Sequence, residues 1–177
     1  ILNLTEEESQ TFEEVNWIPG NEALPTHLQD AYYLSSKEFE YWRIKKGLPY
    51  SNRELNGDTN PYELGLSDIV DLNKGCYLGQ EVMAKLSRSS SLRQELRILN
   101  SKEKVYEGQC LVLPSTKDQE SMKLAGFITS VIKDPSNNQT IGLALVRRNA
   151  LLAKELLLEG QPLVKLQIAI PDNFVGF

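Results

Sequence analysis

One histidine, two cysteines and no long apolar run: what the 177-residue sequence withholds closes off several classes of function. No stretch approaches the roughly 20 apolar residues that a membrane helix needs, and the N-terminus lacks the basic-then-apolar layout of a secretion signal. Neither a membrane nor an export route is therefore expected, and the cytoplasm is the expected compartment. With His27 the sole histidine, Ser-His-Asp or Cys-His catalysis confined to the chain is not expected. A Cys/His zinc site would need ligands from elsewhere, so no metal site is expected. Cys76 and Cys110 are too few for a disulfide framework. Bases are missing from residues 1–36, which hold seven acids, and no basic stripe with interleaved aromatics follows. With a net charge of -5, nucleic acid is not expected as a partner.

What is present begins with Ile1 and an acidic lead, read as a solvated segment of a piece of a longer protein. The first predicted element is a helix over 36–46. Ser35 and Glu38 have capping-box spacing, and Gly47 followed by Pro49 supplies the stop. Phe39, Trp42 and Tyr41 are its expected inward face, and Arg43, Lys45 and Lys46 complement the dipole in its last turn. Residues 51–62 read as a loop, IVDL (69–72) as a short strand, and GQEVMAKLS from Gly79 as a second helix with Val82 and Leu86 on one face. Past Ser91 the apolar period becomes two, around 96–98, 110–113, 127–132, 141–145 and 164–170, which predicts a small antiparallel barrel or sandwich. RRNALLAKELLLEG interrupts that pattern and is expected to form a short helix capped by Asn149. The serine-rich 87–91 marks a linker. Arg147 and Arg148 read as surface residues, and Cys110 as core.

The run KGCYLGQE (74–81) is where chemistry concentrates. Lys74 lies two residues before Cys76 and a helix N-terminus follows it, and both favour a thiolate. Gly75 and Gly79 allow a tight backbone course, and Gln80 and Glu81 add an amide and a carboxylate suited to a flat polar heterocycle. By residue type alone, a free cysteine is most often a small buried apolar side chain.

This run resembles the K-G-C-Y-x-G-Q-E signature of the YgfZ family, folate-binding relatives of the glycine cleavage T-protein. It matches at Lys74, Gly75, Cys76, Tyr77, Gly79, Gln80 and Glu81. WRIKKGLPY (42–50) and NPYELGL (60–66) resemble the superfamily's R-[IL]-E-A-G-[IL]-P and P-x-E-x-x-L segments. AGFITS (125–130) and IGLALVRR (141–148) resemble strands of the T-protein C-terminal barrel, so the resemblance covers roughly 35–170. It implies an α+β fold: residues 1–88 form the latter part of a T-protein-like folate-binding α/β domain, and residues 89–177 a small antiparallel β-barrel. It further implies a tetrahydrofolate-binding protein that serves iron-sulfur client proteins in cluster assembly or repair. Cys76 would be the essential thiol with Lys74 beside it, and Tyr77, Gln80, Glu81 and Arg43 would lie on the cofactor side. The partners implied are a reduced folate, the iron-sulfur clients and the N-terminal half of the same protein.

The sequence departs from the superfamily where its helix commonly carries a glutamate for the pterin ring. Lys45 stands there and has no acceptor for the pterin N–H groups. The half that carries the T-protein's catalytic aspartate is also not in the chain, which alone is expected to be inactive as an aminomethyltransferase. Two alternatives stay open: an aminomethyltransferase of the T-protein type, against which the cysteine motif speaks, and a docking module in which Cys76 is merely packed.

Overall fold

The change of period near residue 92 becomes, in a computed structural model, a change of architecture. The structure describes residues 26, 34–88, 92–114 and 122–176. The chain divides into two compact units, residues 1–42 and 43–177. The acidic lead, Trp17, His27 and most of the serine linker lie outside the described residues.

In the first unit, helix α1 (Ser36–Lys46) begins on a reciprocal capping box. The Glu38 N–H donates to Ser35 Oγ at 3.3 Å, and the Ser35 N–H to Glu38 Oε2 at 2.8 Å. The rings of Phe39 and Trp42 meet at a tilt, their centres 6.0 Å apart, and both residues are only half-buried, as is Tyr41. The helix runs on into the second unit. There the N–H groups of Gly47 and Leu48 close it on the carbonyls of Ile44 and Arg43, with Gly47 at φ 71°. The buried residues of α1 are Arg43 and Ile44, not the expected aromatic face.

Strands β1 (Gln94–Ser101), β2 (Cys110–Val112), β3 (Leu124–Lys133), β4 (Thr140–Arg147), β5 (Glu155–Leu158) and β6 (Gln161–Ala169) close into an antiparallel barrel in the order β1-β4-β3-β2-β5-β6. Closure leaves no unpaired edge. The lumen is filled by Leu99, Leu111, Ile128, Leu156, Leu158 and Leu166, each at most 1% exposed, and each stabilises the barrel by roughly 1.5–3 kcal/mol.

Several local expectations need correction. Residues 69–72 form no strand. Ser67–Ile69 make a 3-10 turn, and the Asp71 carboxylate takes the N–H groups of Asn73 and Lys74, so the backbone is folded onto itself. The expected helix after Asn149 is reduced to the 3-10 turn Arg148–Ala150, and ELLL becomes β5 instead. Pairing with both β2 and β6 buries Leu156, Leu157 and Leu158, so barrel closure overrides helix propensity. Cys110 is half-buried rather than core, whereas Arg147 and Arg148 are both exposed, as expected.

One irregularity positions side chains. In β3, Ile128 pairs with Ala144 and Ser130 with Leu143, so Thr129 is an extra residue, a β-bulge. Adjacent strand residues normally face opposite ways; here Thr129 and Ser130 are both fully buried and reach the same carboxylate. Gly142 admits the bulge, because a Cβ there would lie 2.3 Å from the Ser130 carbonyl oxygen.

Candidate functional site

The motif loop leads into helix α2 (Gln80–Ser87) through Gly79, which adopts φ 89° at the N-cap and offers no side chain to cap the helix. Lys74, Cys76 and Glu81 are exposed, and Tyr77 and Gln80 half-buried. The Lys74 ammonium lies 4.9 Å from the centre of the Tyr77 ring, within cation–π range. Gln80 turns its amide back along the loop, with Nε2 donating to the Leu72 carbonyl at 2.9 Å and to the Lys74 carbonyl at 3.3 Å. The start of α2 is thereby tied to the strand of loop just before Cys76. Leu78, at the tip, is fully exposed. The arrangement displays a thiol in solvent on a backbone held by its own hydrogen bonds. Five of the expected residues are thus collected on one loop-helix junction.

Arg43 has other company. Its guanidinium is 2% exposed; Nη1 donates to Glu54 Oε2 and to the Leu48 carbonyl, and Nη2 to Ser130 Oγ at 2.7 Å. Glu54 is fully buried and accepts from five donors. Oε2 takes the N–H groups of Tyr50 at 2.7 Å and Ser51 at 2.9 Å besides Arg43 at 3.3 Å. Oε1 takes the hydroxyls of Thr129 and Ser130 at 2.8 and 2.7 Å. Burial pushes the Glu54 carboxyl upward, but the Tyr50 N–H, the Ser130 hydroxyl, the Ser51 N–H and the Thr129 hydroxyl together outweigh it and hold the carboxyl below its ordinary 4.5. The last-turn arginine is therefore part of a buried ionic cluster rather than a dipole complement.

Sequence reading missed Glu54, Thr129 and Ser130. The S-x-x-E spacing of Ser51 and Glu54 was the available signal, a capping-box pattern inside a segment read only as loop. Nothing in the sequence marks the bulge that brings both hydroxyls inward.

No protein-family model matches the chain. Among curated proteins it is 30% identical over 122 residues to a protein of Arabidopsis thaliana provisionally named a chloroplastic transferase, covering 69% of this chain and 27% of that protein. It is 30% identical over 105 residues to the aminomethyltransferase of Oceanobacillus iheyensis, covering 59% of this chain and 27% of the enzyme. The chain is similar over about 60–70% of its length to proteins of the aminomethyltransferase superfamily. A third relative is the mitochondrial iron-sulfur cluster assembly factor IBA57 homolog of Dictyostelium discoideum, 28% identical over 136 residues, or 74% of this chain and 29% of that protein. The chain spans less than a third of the length of these superfamily relatives. Among the described residues, the six-stranded antiparallel barrel and two α-helices make the expected α+β fold. Among the described residues no helix is long and apolar enough to cross a membrane, and no group of three or more His, Cys, Asp or Glu is placed to hold a metal ion.

Proposed function

We propose that the chain is the C-terminal part of a YgfZ-type, tetrahydrofolate-linked factor for iron-sulfur cluster assembly or repair, with Cys76 as its functional thiol. In this reading residues 1–88 complete a folate-binding domain shared with the N-terminal half, and residues 89–177 are the barrel. The observation that carries it is the exposed Cys76 on a loop whose backbone Gln80 holds; a cysteine kept only for packing would be buried. The cluster-assembly relative supports the same direction. The aminomethyltransferase relatives favour the second reading, folate-dependent group transfer.

Tyr77, Glu81 and the Gln80 amide are the loop groups that can meet a pterin or its tail. Arg43 as a direct folate ligand finds no support in a side chain 2% exposed and bonded to Glu54, so its part in folate binding would be indirect. Lys45 is exposed and presents no acceptor. Folate would supply a one-carbon carrier when bound, and the role of Lys74 is to keep positive charge beside the thiol. The cytoplasm is the compartment this reading expects, and relatives named for chloroplast and mitochondrion make localisation by microscopy worthwhile.

The test replaces Cys76 by Ser in the full-length protein and measures the activity of iron-sulfur enzymes in cells that depend on it. Loss of those activities at unchanged protein level is expected, and full activity would remove the thiol from the mechanism. Iodoacetamide labelling of the same protein is expected to modify Cys76 at least about tenfold faster than Cys110. Burial and the neighbouring Glu159 push the Cys110 thiol up, making it the slow internal reference.

A further inference from the structure

Away from the thiol, a second place in the fold has the ingredients of a ligand site. A cleft of about 440 Å³ opens between the loop 57–61, one face of α2 and the residues that lead into β1, which is within the usual size of small-molecule pockets. One wall is apolar: Val82, Met83 and Leu86 from α2, with Leu92. Val82 is 57% exposed there, an apolar surface open to solvent.

Glu63 also lines the cleft, 1% exposed. It folds into place as the partner of Asn60: the Glu63 N–H donates to Asn60 Oδ1 at 3.1 Å, and the Asn60 N–H to Glu63 Oε2 at 3.4 Å. Its other oxygen, Oε1, accepts no hydrogen bond although it is buried. The Arg93 Nε lies 3.5 Å from that oxygen, close enough for an ion pair but not in hydrogen-bonding geometry. Arg93 is itself 73% exposed, so water screens its hold. Its Nη2 is anchored elsewhere, on the Asp58 carbonyl at 2.8 Å. Glu63 is therefore a buried carboxylate with an unmet acceptor beneath a loosely held cation. A better-shaped donor would recover the missing hydrogen bond.

We propose that this cleft binds a small ligand with a cationic, N–H-rich head of the amidinium or protonated aminopyrimidine class. The head pairs with Glu63 in place of Arg93 Nε, and the ligand's apolar body lies on Met83 and Leu86. Three features select that class. An amidinium meets a carboxylate with two parallel N–H donors, a geometry Arg93 does not reach here. Asp58 and Glu63 against Arg93 leave the cleft with excess negative charge, which disfavours an anion. The apolar wall needs a hydrophobic body rather than a bare ammonium or metal ion.

The chain has two methionines, Met83 in the cleft wall and Met122 outside it, so 13C-methyl-methionine NMR of the full chain carries its own control. Titrated with benzamidine, the Met83 methyl is expected to shift in a saturable way while Met122 stays put; benzoate, equal in shape and opposite in charge, is expected to leave both unmoved. Glu63→Gln keeps an acceptor for the Asn60 N–H and should weaken benzamidine by about tenfold. Arg93→Ala, which leaves the Asn60–Glu63 pair intact, should strengthen it by a few-fold. The proposal is overturned if benzoate binds and Arg93→Ala abolishes that binding, which would make this an anion site. It is equally overturned if neither compound moves Met83 at millimolar concentration, if both methyls shift together, or if Arg93→Ala weakens benzamidine. None of these readouts involves Cys76, so they stand apart from the thiol reading.

Discussion

Two polar constructions in this molecule answer the same problem in opposite ways. Around Glu54, five donors are turned inward: two backbone N–H groups, two hydroxyls and a guanidinium converge on one fully buried carboxylate. Around Cys76, the hydrogen bonds serve the backbone, and the side chains of Lys74, Cys76 and Glu81 face water. A polar group whose bonding is complete inside the protein has nothing left to offer a ligand, whereas a fixed backbone with solvent-facing side chains is arranged to meet one. The residue types alone would have ranked the two places differently, since an arginine–glutamate pair looks as functional as a cysteine. Satisfaction, rather than polarity, separates them.

The sharpest way to break this contrast is to cut the buried cluster. Glu54→Ala leaves Arg43 charged and buried without its carboxylate, and it should cost about 3–5 kcal/mol in urea unfolding. Replacing both, as Arg43→Met with Glu54→Leu, should cost much less, because the desolvation penalty leaves with the charges. A double variant as unstable as Glu54→Ala would mean that the hydrogen bonds, not the buried charge, carry the cost. The same cluster sets an acid limit. Because Glu54 titrates lower when folded than when unfolded, its ionisation stabilises the fold above its unfolded value near 4.5, and that contribution disappears as pH falls through the folded value. The stability difference between wild type and Glu54→Gln should be flat from pH 7 to about 5 and shrink below that. A difference that grew on acidification would reverse the sign and contradict the lowered carboxyl.

A smaller effect tests the bulge. Ser130→Ala removes the hydroxyl that accepts from Arg43 and donates to Glu54, and about 1–3 kcal/mol should be lost. Thr129→Val loses one donor to an oxygen that retains Ser130, so it should fall at the lower end. Equal losses would argue that the two hydroxyls are not coupled through Arg43.

These two places also show how far sequence reasoning reaches. The barrel was legible because period-two alternation over 127–132, 141–145 and 164–170 states which residues line a pleated sheet. The helix at 36–46 was legible because its caps are local, spelled within four residues at one end and three at the other. β5 was not, because Leu156, Leu157 and Leu158 suit a helix equally well, and only β2 and β6 on either side decide the matter. The motif loop could be found by its residues and its place before α2, while the direction of the Gln80 amide could not. Glu54 escaped for a different reason: its hydroxyl partners lie 75 and 76 residues away on a strand whose bulge no local pattern announces. Local bonding can be read from local sequence, and convergent bonding needs the fold.

The gentlest perturbation addresses the exposed loop itself. Gln80→Ala removes two donors from carbonyls at the loop's surface, where water replaces them, so global stability should change by no more than about 0.5–1.5 kcal/mol. Amide hydrogen exchange should nevertheless speed up over 72–79, because the tie between α2 and the loop is lost while the barrel is untouched. Gln80→Glu is the stricter variant: it keeps the length but turns two donations into a carboxylate facing two carbonyl oxygens, and it should free the loop at least as much. If Cys76 chemistry in the full-length protein falls with loop exchange in both variants, the clamp positions the thiol. If exchange rises and the chemistry holds, the loop's shape matters less than the thiol's exposure, and the contrast with Glu54 narrows to solvent access alone.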